Sequence, residues 1–157
     1  MPTSPIIRLL AIAVAIPVLL VLGTCATVHV QHNWEASKLL RAISKAPLPK
    51  DAAIVVDGSD VGGFISGTGD AIDVLAYRVF RSDLPEPDVR AILHEYLRED
   101  NKNGFDAGLF RLDKPAVPRA GVTEQILRRT LPLAELPTYV FYSVDRIDDG
   151  TWDWRGW

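Results

Sequence analysis

The apolar positions of this chain fall into one continuous block followed by short periodic runs. About 20 of the first 30 residues are apolar, and no Asp, Glu, Lys or Arg occurs between Arg8 and Glu35. A membrane-crossing helix needs about 20 mostly apolar residues at ~1.5 Å each. Leu9–Val30 supplies that length, and Pro17 within it is better tolerated in a spanning helix than in a soluble one. The run leaves no polar face, so a buried core helix fits poorly. The pattern therefore predicts a tail and transmembrane anchor over residues 1–32.

Beyond the block, Ala36, Leu39, Leu40 and Ile43 recur at helical spacing behind a possible cap at Asn33. Lys38, Arg41 and Lys45 fall on the opposite face. This helix either lies on anionic headgroups, with Trp34, Lys38, Arg41 and Lys45 as interface residues, or links the anchor to a domain on which its stripe packs. Pro47 and Pro49 then make a stiff spacer, so residues 33–50 read as a juxtamembrane segment. Residues 51–157 read as one compact domain.

In that domain, Ala53–Val56, Ile72–Phe80, Gly108–Leu112 and Tyr139–Val144 have strand character. Asp57–Asp70 reads as a Gly-rich connection. Val89, Ile92, Leu93, Tyr96 and Leu97 make the stripe of one main helix, which ends near Asn101–Gly104. Val122–Thr130 is ambiguous and leans towards strand, for want of a clean helical stripe. Asp148-Asp149-Gly150 suggests a hairpin turn into a last strand over 151–155. Strands around one helix predict an α+β fold with an antiparallel sheet, preceded by the transmembrane helix.

Composition sharpens this picture. Of 157 residues, 48% are hydrophobic and 24% are charged, which excludes a disordered or collagen-like chain. Past the first 30 residues, 16 Lys+Arg stand against 20 Asp+Glu, a formal −4. With no basic patch beyond Arg128-Arg129, nucleic acid is not an expected partner. Cys25 is the only cysteine, so no intrachain disulfide forms. Leu22-Gly23-Thr24-Cys25 is similar to a lipobox and Thr24-Cys25-Ala26 to a signal-peptidase site, but the long apolar run favours an uncleaved signal-anchor. Arg8 favours an inside N-terminus, while Lys38, Arg41, Lys45 and Lys50 favour the reverse. Short N-tails of this kind export the rest of their chain, which places the domain outside the cytoplasm.

The motifs for catalysis fail one by one. Gly62 and Gly67 have Walker A spacing, but the lysine and the helix after it are missing. Asp57, Asp60, Asp70 and Asp73 flank the Gly-rich segment as turn-forming residues rather than calcium ligands. Asp145, Asp148, Asp149 and Gly150 depart from an EF-hand at Ile147 and Gly156. His94-Glu95 lacks the second zinc histidine, for Arg98 stands there; with Arg90 it forms a solvated helix row. No catalytic, cofactor-binding or metal-binding residue is nominated. Trp152, Trp154, Arg155 and Trp157 offer an aromatic platform for a glycan or partner, or else close the core.

The layout resembles that of small anchored proteins of the bacterial envelope, a likeness of organisation without a specific motif. It implies a non-catalytic binding or accessory domain, with the lipid bilayer and another envelope protein or wall polymer as partners. The alternatives are an envelope hydrolase working through two carboxylates and a cytoplasm-facing immunity or regulatory accessory.

Overall fold

The computed structural model of the chain describes residues 5–62, 72–98, 106–116, 121–131 and 136–147. Its first element, α1, runs unbroken from Pro5 to Ile43, through Pro17. The expected anchor and the expected juxtamembrane helix are thus one rod, and Asn33 lies inside it rather than at a cap. From Ile12 onward the helix is long and apolar enough to cross a membrane, and it lies near the N-terminus. Val14, Leu19, Leu20 and Leu22 stand exposed. At His32 the environment changes: His32, Ala36, Leu39 and Ile43 are buried, at the spacing of one helix face.

Four strands form an antiparallel sheet in the order β1-β2-β4-β3. They are β1 Ala53–Gly62, β2 Ile72–Arg81, β3 Asp106–Arg111 and β4 Thr138–Ile147. β2 is buried on both faces, as befits a central strand without strict polar alternation. One face carries Ile72, Val74, Ala76 and Phe80 with Tyr139, Phe141 and Leu109, and packs on the buried stripe of α1. Two short helices, α2 Glu86–Ile92 and α3 His94–Leu97, complete this layer through Val89 and Leu93. Phe80 stacks on Tyr139 at 5.6 Å, and Tyr96 meets Phe141 edge-on at 6.0 Å. The other face gathers Leu75, Val79, Phe110 and Val140 under Leu127 of α4, Val122–Thr130.

Three expectations are corrected. Val122–Thr130 is a helix, not a strand. Its apolar stripe is narrow, with only Thr123 and Leu127 buried, and an Arg128–Glu124 ion pair one turn apart supports it at 2.9 Å. Asp57–Gly62 belongs to β1 rather than to a connection. Gly58 lies opposite Tyr77, and a Cβ at Gly58 would overlap that ring; Gly108 stands in the same relation to Tyr142. A tyrosine laid over a cross-strand glycine keeps such a residue in a sheet. The stripe Val89–Leu97 is broken at Leu93, whose ψ of 5° ends α2 before α3 begins.

Residues 47–49 belong to no helix or strand, as suits their two prolines. The core nevertheless reaches back across it to Ala46, Ile43, Leu39 and Ala36. The turn expected at Asp148–Gly150 and the strand over 151–155 lie outside the described residues. So do residues 63–71 of the Gly-rich segment, with Asp70, and the helix end at Asn101–Gly104.

Candidate functional site

Two features of the described surface differ from an ordinary solvated exterior. The first is the edge of β3. An edge strand leaves alternate carbonyls without a ladder partner. Here two arginines, one from each face of the sheet, supply the donors. From α2, Arg90 Nη2 donates to the Leu109 carbonyl at 2.7 Å while its Nε donates to Glu86 at 2.9 Å. From α4, Arg128 Nη2 donates to the Arg111 carbonyl and Nη1 to the Lys114 carbonyl, both at 2.7 Å. Its guanidinium lies 4.5 Å over the Phe110 ring. The outward carbonyls of Leu109 and Arg111 on this edge are thus paired.

Between the two arginines lies a cleft of about 120 Å3, lined by Glu86, Arg90, Arg111, Lys114, Glu124 and Arg128 among others. Arg111 forms a two-point ion pair with Asp113 and sits over Tyr139, 5.5 Å from the ring centre. The Arg111 hydrogen bonds hold the Asp113 carboxyl below its ordinary value, and Asp113 holds Arg111 above its own. Burial raises the Tyr139 phenol, which donates to the Leu84 carbonyl at 2.6 Å. Glu86 and Glu124 are each bound to an arginine, so the cleft presents guanidinium and ammonium groups rather than a facing pair of acids. Among the described residues, the carboxyls with a displaced acidity, Asp51 and Asp113, are displaced downward. A general acid needs the opposite shift.

The second feature is the junction of α1 with the sheet. Trp34, Lys38, Arg41 and Lys45 all face outward, opposite the buried stripe. Lys38 lies 4.1 Å over the Trp34 ring and pairs with Glu35 at 2.6 Å. The stripe Ala36–Leu39–Ile43 is in the domain core, so it is not available to a lipid surface. On the inner side, Arg78 forks onto Asp57 at 3.0–3.3 Å and donates to the Ser44 carbonyl at 2.9 Å. That arginine ties the end of α1 to both β1 and β2.

The other residues singled out in the sequence are dispersed. Asp57 serves Arg78, and Asp60 accepts the Val61 N–H at 2.8 Å. Asp73 is buried, 3.9 Å from Arg146. His94 is exposed and meets Glu95 at 2.8 Å. Among the described residues no group of three or more His, Cys, Asp or Glu could hold a metal ion. Trp152, Trp154, Arg155 and Trp157 lie outside the described residues. The arginine-bridged edge has one sequence signal. It is a Glu four residues before an Arg, at Glu86/Arg90 and again at Glu124/Arg128, too common a spacing to mark a site by itself. No protein-family model matches the chain, and neither a curated protein nor a solved structure was found to be similar to it.

Proposed function

We propose that this is a single-pass membrane protein of the bacterial envelope, whose small α+β domain is a non-catalytic binding or accessory unit held outside the cytoplasm. The observation that carries the reading is α1. One end of it is exposed and apolar for the length of a bilayer, and the other end is part of the domain core. Such a helix gains by placing its bare end in lipid. Ile12, Val14, Ile16, Val18 and the run Leu19–Leu22 otherwise face water, at roughly 1.5–3 kcal/mol for each large side chain. The binding reading draws on the cleft at β3, whose lining carries four basic side chains, Arg90, Arg111, Lys114 and Arg128, against two acidic ones, Glu86 and Glu124. The hydrolase alternative needs two acids free to exchange protons, and the acids lining that cleft are committed to arginines.

Two measurements test the proposal. The full-length protein resists extraction from membranes by alkaline carbonate; release into the supernatant refutes the anchor. Reporter fusions to the C-terminus are active when the reporter works only outside the cytoplasm. Activity of the cytoplasmic reporter alone reverses the orientation.

A further inference from the structure

Charge is unevenly placed on the domain. Residues 51–157 hold 12 Lys and Arg against 19 Asp and Glu. Four of those twelve bases, Arg90, Arg111, Lys114 and Arg128, nevertheless line the one cleft at β3. A second cleft of about 370 Å3 shares Glu86, Arg90, Arg111 and Lys114 with it and is closed by Pro85 and Pro87. That volume falls among those of pockets that hold small molecules. Three carboxylates stand beside the bases, and each holds one arginine: Glu86 on Arg90, Asp113 on Arg111 and Glu124 on Arg128. The fourth cation, Lys114, is exposed, and its ammonium has no partner among the described residues. The acids therefore leave one positive charge uncancelled at this place in an otherwise acidic domain.

The arginines keep donors of their own. A guanidinium carries five N–H groups. Arg90 and Arg111 each donate from Nε and Nη2, and Arg128 donates once from each of its three nitrogens, so all three retain N–H groups beyond these bonds. The same bonds fix the guanidiniums in place, and the side chains of Arg111 and Arg128 are only 16% and 17% exposed. Donors that are positioned before a ligand arrives lose little side-chain entropy on binding it. The cations also come from different elements: Arg90 from α2, Arg128 from α4, and Arg111 and Lys114 from the end of β3 and just beyond it. A planar carboxylate is satisfied by one guanidinium fork, whereas a phosphoryl group offers oxygens to several sides at once. We infer that the two clefts form one binding site for a phosphoryl group, with Arg90, Arg111 and Lys114 as its donors and the larger cleft holding the part of the molecule that carries it. The inference deepens the binding reading of the domain and rests on it.

The test is a calorimetric titration of the full chain, held in phosphatidylcholine nanodiscs at physiological ionic strength, with glycerol 3-phosphate. The expected result is saturable binding that Lys114→Glu weakens about tenfold and Lys114→Gln about threefold, each with the parent's thermal transition. Arg129→Glu makes the same change of charge at an exposed position of α4 outside both clefts, and it shifts the affinity by less than about twofold. Equal losses from Lys114→Glu and Arg129→Glu assign the attraction to net charge and overturn the site. Absence of binding by the parent overturns it too, and leaves the anchored binding domain standing, since carbonate extraction and the reporter fusions test that separately. Release of inorganic phosphate during the titration does the reverse: it upholds the site and overturns the non-catalytic reading. Replacing about a fifth of the lipid with phosphatidylglycerol separates the two sources of the group. Weaker binding of glycerol 3-phosphate then identifies a lipid headgroup as the competing occupant, and unchanged binding identifies a phosphoryl compound from outside the bilayer.

Discussion

Single residues tie the layers of this domain together at points where the backbone would otherwise be unpaired. Arg78 joins α1 to two strands, Arg90 and Arg128 bond the outward carbonyls of Leu109 and Arg111 on the β3 edge, and Arg111 holds Asp113 against it. Asp113 also accepts the Thr138 N–H at 3.3 Å, so one carboxylate fixes β3's end to the start of β4. These hydrogen bonds depress the folded-state pKa of Asp113 below its unfolded value near ~3.9. The resulting stabilisation is fully present above that value and is lost as pH falls through the lowered folded one. Asp113→Asn should therefore cost about 1–2 kcal/mol at pH 7, and the difference from the parent should shrink between about pH 4 and pH 2. Urea unfolding midpoints across this range decide it. Parallel curves would mean that Asp113 titrates alike in both states.

Among the elements, the second half of α1 carries the most consequence. It contributes Ala36, Leu39 and Ile43 to the main core, with Ala46 just beyond it, against the sheet face built from β2 and β4. Removing a buried Leu or Ile costs about 2–5 kcal/mol apiece, and a domain of this size holds only about 5–15 kcal/mol in reserve. A fragment of residues 51–157 should then fail to fold, whereas one of residues 31–157 should fold, by circular dichroism and by a cooperative thermal transition. Equal transitions in the two fragments would show that α1 is dispensable. The apolar periodicity of that helix was legible in the sequence, as were the long apolar helical block before it and the cores of the four described strands. The extent of β1 was not. Gly58 and Gly62 carry no strand propensity, and what keeps Gly58 in the ladder is Tyr77, whose pairing is visible only across strands. The helix α4 was missed for a related reason. Its nine residues bury one large side chain, and its support comes from Phe110 and the β3 edge rather than from its own pattern.

At the scale of the whole molecule, the rod and the domain share one helix with no hinge between them. A flexible linker would let the domain move freely about the apolar segment; a continuous helix fixes the two relative to each other, and with the apolar segment in a bilayer, as proposed, it would hold the domain at one height and one rotation. The backbone gives a direct length for this arrangement. Leu22 is in the apolar segment and Arg41 faces outward beside the domain, with the junction at His32 between them. Nineteen residues of unbroken helix separate them by about 28 Å. Spin labels at Leu22→Cys and Arg41→Cys, in a Cys25→Ser background reconstituted in lipid nanodiscs, should give one narrow distance distribution at about that separation, widened only by the label linkers. A hinge near His32 would bring the labels closer in part of the population and broaden the distribution. A broad or bimodal result would break the rod, and with it a fixed orientation of the domain relative to the apolar segment.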